Sequence, residues 1–526
     1  MSTIPLVVRH AGKKYDVEVD LDQPGEVFKF QLYSLTGVDP ERQKILVKGG
    51  QLKDDADLKT LGLKPNQILM MLGTVGELPK EPVGKMTFVE DMTDRELAQT
   101  MKTPVGLVNL GNTCYLNSSL QCLRVMPELA EDLDTLPPTG SSGGTLFAGS
   151  QPSDLAKRLR DMYHDMKNQT TALQPLVLLN TLRMVYPQFA EQGEHGRYKQ
   201  QDAEEAFTQI LSALNQSLTT AHPSSPSFID SYMSGEFSTS MRCAETDAEP
   251  EITGTEKFSK LVCHITGDTN FLSDGLQKSL LETIEKNSDV LGRNAQFTLT
   301  KQIVRLPKYL VVHFMRFYWR RDTQKKSKIL RKVTFPFELD VTDLCAPELK
   351  TKLVAVRDKV RDLRKAREEQ VRAVKRARTK LADASGESSS TSAASASASD
   401  EYESEISRLE KEVEEAVDPT LKGDKTLNST GLYELIGVIT HSGKSADSGH
   451  YQFWCKQEIE ESQDAAASTA GTKAVTVGTT TQKEEPKWWR FNDDKVTVVD
   501  QSKIETMMGG GESDSALILL YRSVSF

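Results

Sequence analysis

The segment that most constrains this chain surrounds Cys114, where a short apolar run meets a turn and then a helical pattern. Cys114 opens that pattern, in which Leu116, Leu120 and Leu123 recur at helical spacing. A thiol at a helix N-terminus faces unpaired backbone N–H groups and the positive end of the helix dipole, and both favour the thiolate. We therefore interpret Cys114 as a candidate nucleophile, although a single cysteine is more often a small buried apolar residue.

Two polar residues far downstream could complete a site with this thiol. His450 follows a polar, glycine-containing loop at the start of an alternating, strand-like segment. Its imidazole could hold the thiol as a thiolate and later protonate a leaving amine. Asn492, at the end of an aromatic strand pattern, could accept a hydrogen bond from the ring N–H of His450 and fix its tautomer. The order Cys, His, Asn is that of papain-like hydrolases.

Five ordered motifs make a more specific comparison possible, and together they resemble the ubiquitin-specific protease family of deubiquitinases. They are the cysteine box at 106–118 (GLVNLGNTCYLNS), 200–207 (QQDAEEAF), 306–317 (LPKYLVVHFMRF), 333–336 (VTFP) and a histidine box at 448–451 (SGHY) with 488–493 (WWRFND). The resemblance implies an α+β, papain-like catalytic domain with thumb, palm and fingers. It also implies hydrolysis of the isopeptide or thioester bond after the C-terminal glycine of ubiquitin.

The resemblance assigns a role to each residue of the candidate catalytic site. Cys114 would attack the carbonyl carbon, His450 would transfer protons, and Asn492 would orient the imidazole. Asp493 is a candidate auxiliary carboxylate, and the division of labour between it and Asn492 stays open. Asn109 matches the family's oxyanion-hole donor, acting with the Cys114 backbone N–H; its alternative is a turn cap, because Asn favours turns.

The ubiquitin tail, which carries arginines before two glycines, indicates which residues should contact the substrate. Asp202 and Glu205 lie three apart on a helical run, with Gln201 beside them, so the two carboxylates are expected to share a face that could pair with arginine. The alternative is an ordinary exposed acidic helix face. Gly449 and Tyr451 are candidate walls of a channel too narrow for side chains.

Two polar segments, Tyr318 to Ser327 and His441 to Ser448, lie where a subgroup of the family has loops that obstruct this channel. The second is rich in Gly and Ser, so we expect little to hold it in one place. This predicts weak activity in the isolated chain and higher activity on the proteasome.

The first 75 residues have the pattern of a separate β-grasp domain. A hairpin turning at His10 to Lys14, a helix from Val27 to Leu35 and later strands at 44–47 and 68–72 give that order. Residues 42–54 resemble the middle of ubiquitin, but the chain runs on past Gly73 without an Arg-Gly-Gly ending. We interpret residues 1–75 as a ubiquitin-like docking domain, with an inert solubilising domain as the alternative.

The remaining organisation is a linker and a catalytic domain with two inserts. The linker at 76–103 is rich in Pro, Glu and Lys and resembles that of proteasome-associated family members, which implies the proteasome regulatory particle as a partner. The catalytic domain is assigned to 104–526. An insert at about 357–420 has a basic helical part, a Ser/Ala tract and an acidic helical part; two antiparallel helices with a disordered tip and a solvated helix with a loose loop are both compatible with it. A second insert, at about 461–486, is rich in Thr and Ala.

Composition narrows the function further. The net charge of −10 does not indicate a nucleic-acid surface, and no apolar run of transmembrane length or signal pattern predicts a membrane location. Six scattered cysteines fit reduced thiols in the cytoplasm or nucleus, and Cys243 and Cys263 lack the CxxC pairing of a structural zinc site. We expect no metal or cofactor.

Ubiquitin and polyubiquitin conjugates are the expected substrates. The alternatives are a protease for another modifier, an inactive ubiquitin-binding scaffold and a weak proteasome adaptor that acts by occupancy.

Overall fold

The computed structural model describes residues 3–48, 50–73, 103–137, 151–193, 196–320, 325–383, 391–445, 448–457 and 486–525. The chain divides into two compact units, Met1–Asp91 and Met92–Phe526. The predicted domain boundary at residue 75 and nearly all of the linker at 76–103 lie outside the described residues, as does the insert at 461–485.

The first unit is a five-stranded sheet with one helix. Its elements are β1 (Thr3–His10), β2 (Lys13–Asp20), α1 (Gly25–Thr36), β3 (Lys44–Val47), β4 (Gly50–Gln51) and β5 (Gln67–Leu72). The strand order is β2-β1-β5-β3-β4, with β1 parallel to β5. The predicted hairpin turns at Ala11 and Gly12, both at positive φ. Alternate strand residues such as Val8 and Leu69 pack with Phe28 and Leu32 of the helix, so the predicted β-grasp is confirmed.

The second unit contains a layer of helices on one face of its largest sheet. The helices are α2 (Cys114–Arg124), α3 (Pro127–Asp134), α4 (Pro152–Asn168), α5 (Leu176–Val185) and α6 (Ala203–Ala221). Helix α2 is buried along nearly its whole length, because it packs against α6 on one side and the sheet on the other. This is the expected thumb.

The palm is the sheet under these helices, with strand order β18-β17-β16-β15-β19-β11-β8 and with β14 beside β15. Its strands are β8 (Leu261–His264), β11 (Tyr309–Met315), β14 (Glu338–Asp340), β15 (Leu432–Ser445), β16 (Ser448–Lys456), β17 (Lys487–Asn492), β18 (Lys495–Asp500) and β19 (Ser515–Ser523). Alternate residues face two cores: Tyr309 and Val311 pack under the helices, whereas Leu310 and Val312 pack on the opposite face. The sheet is therefore a rigid, doubly covered platform for the residues at its strand ends.

A second sheet and a small hairpin complete the strands. The fingers sheet has the order β7-β6-β10-β9 and consists of β6 (Gly235–Cys243), β7 (Ile252–Phe258), β9 (Leu281–Ser288) and β10 (Arg293–Arg305). Strands β12 (Phe317–Arg320) and β13 (Lys325–Lys328) pair only with each other among the described strands. Short helices α7 (Leu272–Ser279) and α10 (Gln501–Glu505) lie beside the palm.

The first insert forms two long helices, α8 (Pro347–Asp383) and α9 (Thr391–Ala416). Val360 and Leu363 of α8 pack with Val413 of α9, and Arg367 is paired with Glu410 at 2.6 Å. Of the two open readings, the paired helices are the one observed. The expectation of a disordered Ser/Ala tip is wrong from residue 391 onward, because α9 begins inside that tract; residues 384–390 lie outside the described part of the chain.

In the described part of the chain, none of the helices has both the length and the apolar character needed to cross a membrane. The same residues include no cluster of three His, Cys, Asp or Glu side chains that could bind a metal ion.

Candidate active site

The nucleophile candidate is the first residue of helix α2, as the sequence pattern predicted. The preceding turn is tight, with Gly111 and Asn112 both at positive φ. The Asn109 side-chain oxygen accepts hydrogen bonds from the backbone N–H groups of Gly111 (2.9 Å) and Thr113 (3.3 Å). Asn109 therefore caps the turn that presents Cys114, and its proposed oxyanion role stays a prediction.

His450 and Asn492 meet at the ends of neighbouring strands. Antiparallel pairing of β16 with β17 brings the start of one strand to the end of the other. The Nε2 atom of His450 lies 2.6 Å from the side-chain oxygen of Asn492. Because an amide oxygen can only accept, Nε2 must carry the proton, which leaves Nδ1 as the basic nitrogen of the neutral ring.

The thiol reaches this pair because helix α2 packs against strand β16. The backbone amide of Tyr451, the residue after His450, is hydrogen-bonded to the Cys114 sulfur. The structure thus places the Cys114 thiol against the residue that follows His450, and His450 against Asn492. A thiol, an imidazole of defined tautomer and an orienting amide are the parts of a cysteine-protease site.

Burial of Cys114 acts against the thiolate that the sequence analysis favours. Burial raises the pKa of the thiol to about 11; the Asp493 charge adds to the rise, and the hydrogen bond from Tyr451 opposes it. Cys114 is only 2% exposed. Desolvation therefore opposes the thiolate that a helix N-terminus favours, and the thiolate stays a prediction.

A network of amides surrounds Asp493, at positive φ in the turn between β17 and β18. One carboxylate oxygen accepts a hydrogen bond from Asn109 at 2.9 Å, and the other accepts one from Asn117 at 2.7 Å. The Asn109-bound oxygen lies 3.8 Å from Nε2 of His450. Asn492 makes the direct contact with the ring, and Asp493 supplies a negative charge just behind it.

The substrate-side residues are arranged differently from the helical pattern. Asp202 is the N-cap of α6 and accepts a hydrogen bond from the Glu204 backbone N–H at 2.9 Å, so it is not on a helix face with Glu205. Burial raises the pKa of Asp202 to about 6. Asp202 and Glu204, rather than Glu205, line a cavity of about 220 Å³; Glu205 and Gln201 are half-buried nearby.

The cavity is closed on its other side by the β12–β13 hairpin. Its remaining lining residues are His313, Met315, Phe317, Tyr318 and Lys326. Glu204 is ion-paired with Lys260 and accepts a hydrogen bond from Thr208 at 2.7 Å. The site therefore offers carboxylates at the mouth of a partly apolar groove, next to the start of helix α6.

The described part of the segment from His441 to Ser448, residues 441–445 and 448, is not the loose loop that its composition suggested. Residues up to Ser445 continue strand β15, and His441 is fully buried beside Tyr451, with 4.6 Å between ring centroids. Gly449 has φ +118°, and a Cβ atom there would lie 2.1 Å from the Ser442 carbonyl oxygen. Gly449 and the 1%-exposed Tyr451 are thus packed against β15. The backbone amide of Tyr451 contacts the thiol, and the role of both residues as channel walls stays a prediction.

Tertiary contacts hold the β15–β16 hairpin in place. Lys328 of β13 donates a hydrogen bond to the His441 carbonyl at 2.6 Å, and the Ser445 hydroxyl donates to the Lys326 carbonyl at 3.0 Å. From the other side, the Gly443 N–H donates to the carbonyl of Glu512 at 2.9 Å. Three segments distant in sequence are therefore joined next to the nucleophile.

Comparison with known proteins identifies the family. The family model described as ubiquitin carboxyl-terminal hydrolase matches residues 105–521, most of the chain. The chain belongs to this family. Residues 6–76 match the ubiquitin family model, in agreement with the β-grasp unit.

Several relatives match this hydrolase over nearly its whole length. Ubiquitin carboxyl-terminal hydrolase 6 of Schizosaccharomyces pombe is 42% identical over 524 residues, 99% of each chain. Ubiquitin carboxyl-terminal hydrolase 7 of Arabidopsis thaliana is 37% identical over 512 residues, 96% of each chain. Ubiquitin carboxyl-terminal hydrolase 14 of Caenorhabditis elegans is 33% identical over 527 residues, 99% of this hydrolase and 94% of the relative. The hydrolase is a deubiquitinating cysteine protease, as its motifs predicted.

Some residues of this site were not selected from the sequence. Asn117, one turn after Cys114, binds the Asp493 carboxylate, and its position three residues after the nucleophile on a helix was a usable signal. The contacts of Lys328 and Glu512 with the hairpin had no such signal, because they depend on tertiary packing.

Proposed function

We propose that the enzyme cleaves the bond after the C-terminal glycine of ubiquitin with Cys114 as nucleophile, His450 as proton carrier and Asn492 as the residue that orients it. The observation that carries this proposal is the 2.6 Å contact between His450 Nε2 and the Asn492 oxygen, beside a thiol held by the Tyr451 amide. A neutral imidazole with a fixed tautomer is what proton transfer from a thiol requires.

The reaction then follows from the atoms present. The Cys114 sulfur attacks the glycine carbonyl as its proton passes to Nδ1 of His450. The imidazolium returns this proton to the departing lysine amine, which leaves a thioester between ubiquitin and the enzyme. Water, deprotonated by the neutral ring, then attacks the thioester and releases ubiquitin and the thiol. The Asn109 amide and the Cys114 backbone N–H would stabilise the oxyanion, where one donor is typically worth roughly 10²–10³ in kcat.

Recognition of the ubiquitin tail is assigned to the groove at the start of helix α6. Asp202 and Glu204 line it, and carboxylates form strong, bidentate hydrogen bonds with arginine. Glu205 and Gln201 flank these two residues and are assigned to the outer part of the same contact. Gly449, which directly precedes His450, is assigned to the narrow part of the channel because the glycines of the ubiquitin tail leave room only for backbone.

The resting enzyme is expected to be weakly active. Cys114 is 2% exposed and burial raises the pKa of its thiol to about 11. A folded substrate therefore cannot deliver its tail to the sulfur without a movement. The hairpin of β15 and β16, held by Lys328 and Glu512, is the element that would have to move. Docking on the proteasome regulatory particle would supply the binding energy for that movement.

The ubiquitin-like unit is the proposed docking module. Four apolar residues on the outer face of its sheet, Leu46, Ile68, Met70 and Leu72, are each about half exposed, and Leu46 lies opposite Met70 across two strands. Contiguous exposed apolar groups of this kind mark protein-binding surfaces. Together with the linker's resemblance to proteasome-associated members, this supports a proteasome partner and a location in the cytoplasm and nucleus.

Substrate class is tested with ubiquitin that carries a C-terminal electrophile, next to the same probe built on other ubiquitin-like modifiers. Labelling at Cys114 by the ubiquitin probe is expected, and Cys114→Ala should abolish it. Cys455→Ala, which removes a different partly buried thiol, is the matched control and should leave labelling unchanged. Equal labelling by another modifier would contradict the assignment to ubiquitin.

Docking is tested with the full chain and purified proteasome regulatory particle. Ile68→Ser should weaken binding and reduce the rise in ubiquitin-conjugate turnover, whereas Phe30→Ser, at an equally exposed site on helix α1, should not. Equal turnover with and without the particle would contradict activation. Full binding without any turnover would favour the alternative adaptor that acts by occupancy.

A further inference from the structure

One side chain on the nucleophile's own helix contacts the group behind the catalytic histidine. Asn117 is 3% exposed, and its Nδ2 atom is 2.7 Å from Oδ1 of Asp493 and 3.2 Å from the Leu107 carbonyl. The same atom is 3.4 Å from the Val108 carbonyl. All three acceptors are oxygen atoms that face the Nδ2 atom. The orientation of the amide is therefore fixed, because a flipped side chain would place its own oxygen, which cannot donate, against each of them.

The other end of this amide has no partner of its own. Oδ1 of Asn117 is buried and accepts no hydrogen bond from the residues that the structure describes. A buried polar atom without a partner costs about 1–3 kcal/mol, so a chain needs a reason to keep one here. The contact that Asn117 makes with Asp493 supplies that reason.

The Asp493 carboxylate is held at both oxygens. Asn117 binds Oδ1, and Asn109, on the turn before the nucleophile, binds Oδ2 at 2.9 Å. Oδ2 is thereby kept 3.8 Å from Nε2 of His450, in a side chain only 9% exposed. Asp493 also raises the pKa of Cys114. The position of its carboxylate therefore affects the ionisation of both the thiol and the imidazole.

We propose that Asn117 is a positioning residue, which holds the Asp493 carboxylate toward the imidazole and thereby stabilises the imidazolium that forms when Cys114 loses its proton. This inference rests on the proposed roles of Cys114 and His450. Asn117 touches neither substrate nor the reacting atoms; it acts through Asp493. It also couples the two halves of the site, because α2 carries the nucleophile and the β17–β18 turn carries Asp493.

A matched control lies one turn further along the same helix. Gln121 is also 3% exposed, its Nε2 atom donates to the Val105 carbonyl at 2.8 Å, and its Oε1 atom is likewise buried without a partner among the described residues. Gln121 therefore makes the same kind of link between α2 and the 105–108 segment, but it makes no hydrogen bond to Asp493. Any effect of Asn117 that is only structural should be reproduced at Gln121.

The test is a double-mutant cycle in the full-length enzyme, with kcat/KM measured on ubiquitin carrying a fluorescent C-terminal amide. Asn117→Ala and Asp493→Asn should each lower kcat/KM by about 10- to 100-fold, as expected for a hydrogen bond to a charged group. The double variant should have a kcat/KM no lower than that of the less active single variant, because both changes remove the same interaction between Asn117 and Asp493. Gln121→Ala should stay within about threefold of the wild-type enzyme at a comparable loss of thermal stability.

The pH profile separates positioning from folding. Loosening Asp493 should lower the stability of the imidazolium. Because neutral His450 is the base in the free enzyme, the acid limb of kcat/KM should move to lower pH in Asn117→Ala and stay in place in Gln121→Ala. Asn117→Ser, too short to reach Asp493, should behave like the alanine variant and serves if the latter does not fold. Additive losses in the cycle, or equal effects at Asn117 and Gln121, would overturn the inference.

A second readout does not depend on ubiquitin. The alkylation rate of Cys114 by iodoacetamide, followed by mass spectrometry of the Cys114 peptide across pH, should show the same non-additive cycle. An inactive wild-type enzyme that still shows this cycle would refute the proposed function and leave the positioning role standing. An active wild-type enzyme with additive losses would refute the positioning role alone.

Discussion

Replacing Asn492 by alanine separates orientation of the imidazole from proton transfer itself. The variant removes the 2.6 Å contact with His450 Nε2 and leaves the ring, the thiol and the strand pairing in place. A hydrogen bond to a group that becomes charged is worth about 1.5–3 kcal/mol, and 1.36 kcal/mol corresponds to a factor of ten. We therefore expect kcat/KM to fall by about 10- to 150-fold.

We expect a loss near the lower end of this range, because a neighbouring group can replace Asn492 as the hydrogen-bond acceptor. Asp493 has a carboxylate oxygen 3.8 Å from the same Nε2 atom, so a shift of about 1 Å would give the ring a new acceptor. By contrast, His450→Ala removes the proton carrier, which typically contributes 10²–10⁴-fold, and also the stabilisation of the thiolate. Asn492→Ala should thus retain clearly more activity than His450→Ala.

The assay is steady-state hydrolysis of a fluorogenic ubiquitin C-terminal amide by the full chain, with thermal unfolding of each variant recorded in parallel. Asn492→Asp is the conservative comparison and should restore most of the activity, because a carboxylate also accepts from Nε2. Equal losses in Asn492→Ala and His450→Ala, with both proteins folded, would refute the reasoning that Asn492 acts only as an orienting group.

Three further predictions concern stability. Gly449→Ala should lower the unfolding free energy by at least about 2 kcal/mol, because φ is +118° and the new Cβ would clash with a backbone oxygen. Gly267→Ala, at a position with open space around it, should change the unfolding free energy by less than about 0.5 kcal/mol. Both values are measured by urea denaturation. The pKa of Asp202 in the folded state is raised to about 6 from an unfolded value near 3.9, so the folded state holds a proton that the unfolded state releases. Stability should therefore fall by about 2 kcal/mol as pH rises from 4 to 7.5. Asp202→Asn, which can still cap the helix, should abolish that fall in unfolding measurements at pH 4 and 7.5. Leu363→Ala in the seam between the insert helices should cost about 2–5 kcal/mol, and Arg367→Gln, which breaks an exposed ion pair, less than about 1 kcal/mol; the opposite order in urea denaturation would contradict a seam held by apolar packing.

The sequence was most informative where chemistry depends on local spacing. The helix that starts at Cys114 and the hairpin and helix of the first unit follow from periodicity and turn residues, and the structure has both. The pairing of His450 with Asn492 followed from motif order and is also present. Their catalytic roles remain predictions that the experiments above address.

The sequence was least informative where tertiary contacts override composition. The Gly- and Ser-rich segment after His441 was predicted to be a loose loop. Its described residues up to Ser445 instead continue β15, because Lys328 binds the His441 carbonyl and the Glu512 carbonyl binds the Gly443 N–H. A helical wheel also placed Asp202 on the helix, whereas its carboxylate caps it. The raised pKa of Cys114 could not be predicted from the helix N-terminus alone, because burial by segments distant in sequence is its largest cause.

The position of β19 in the palm has a consequence during synthesis of the chain. This strand lies between β15 and β11 in the sheet, yet it is the last of the sheet strands to be translated. Until residues 515–523 have left the ribosome, β15 lacks its neighbour on one side, and the strands that carry His450 and Asn492 belong to an unfinished sheet. A nascent chain at that stage already contains Cys114, His450 and Asn492, but its palm lacks the strand between β15 and β11. We therefore expect hydrolysis of ubiquitin conjugates to begin only after β19 has been translated.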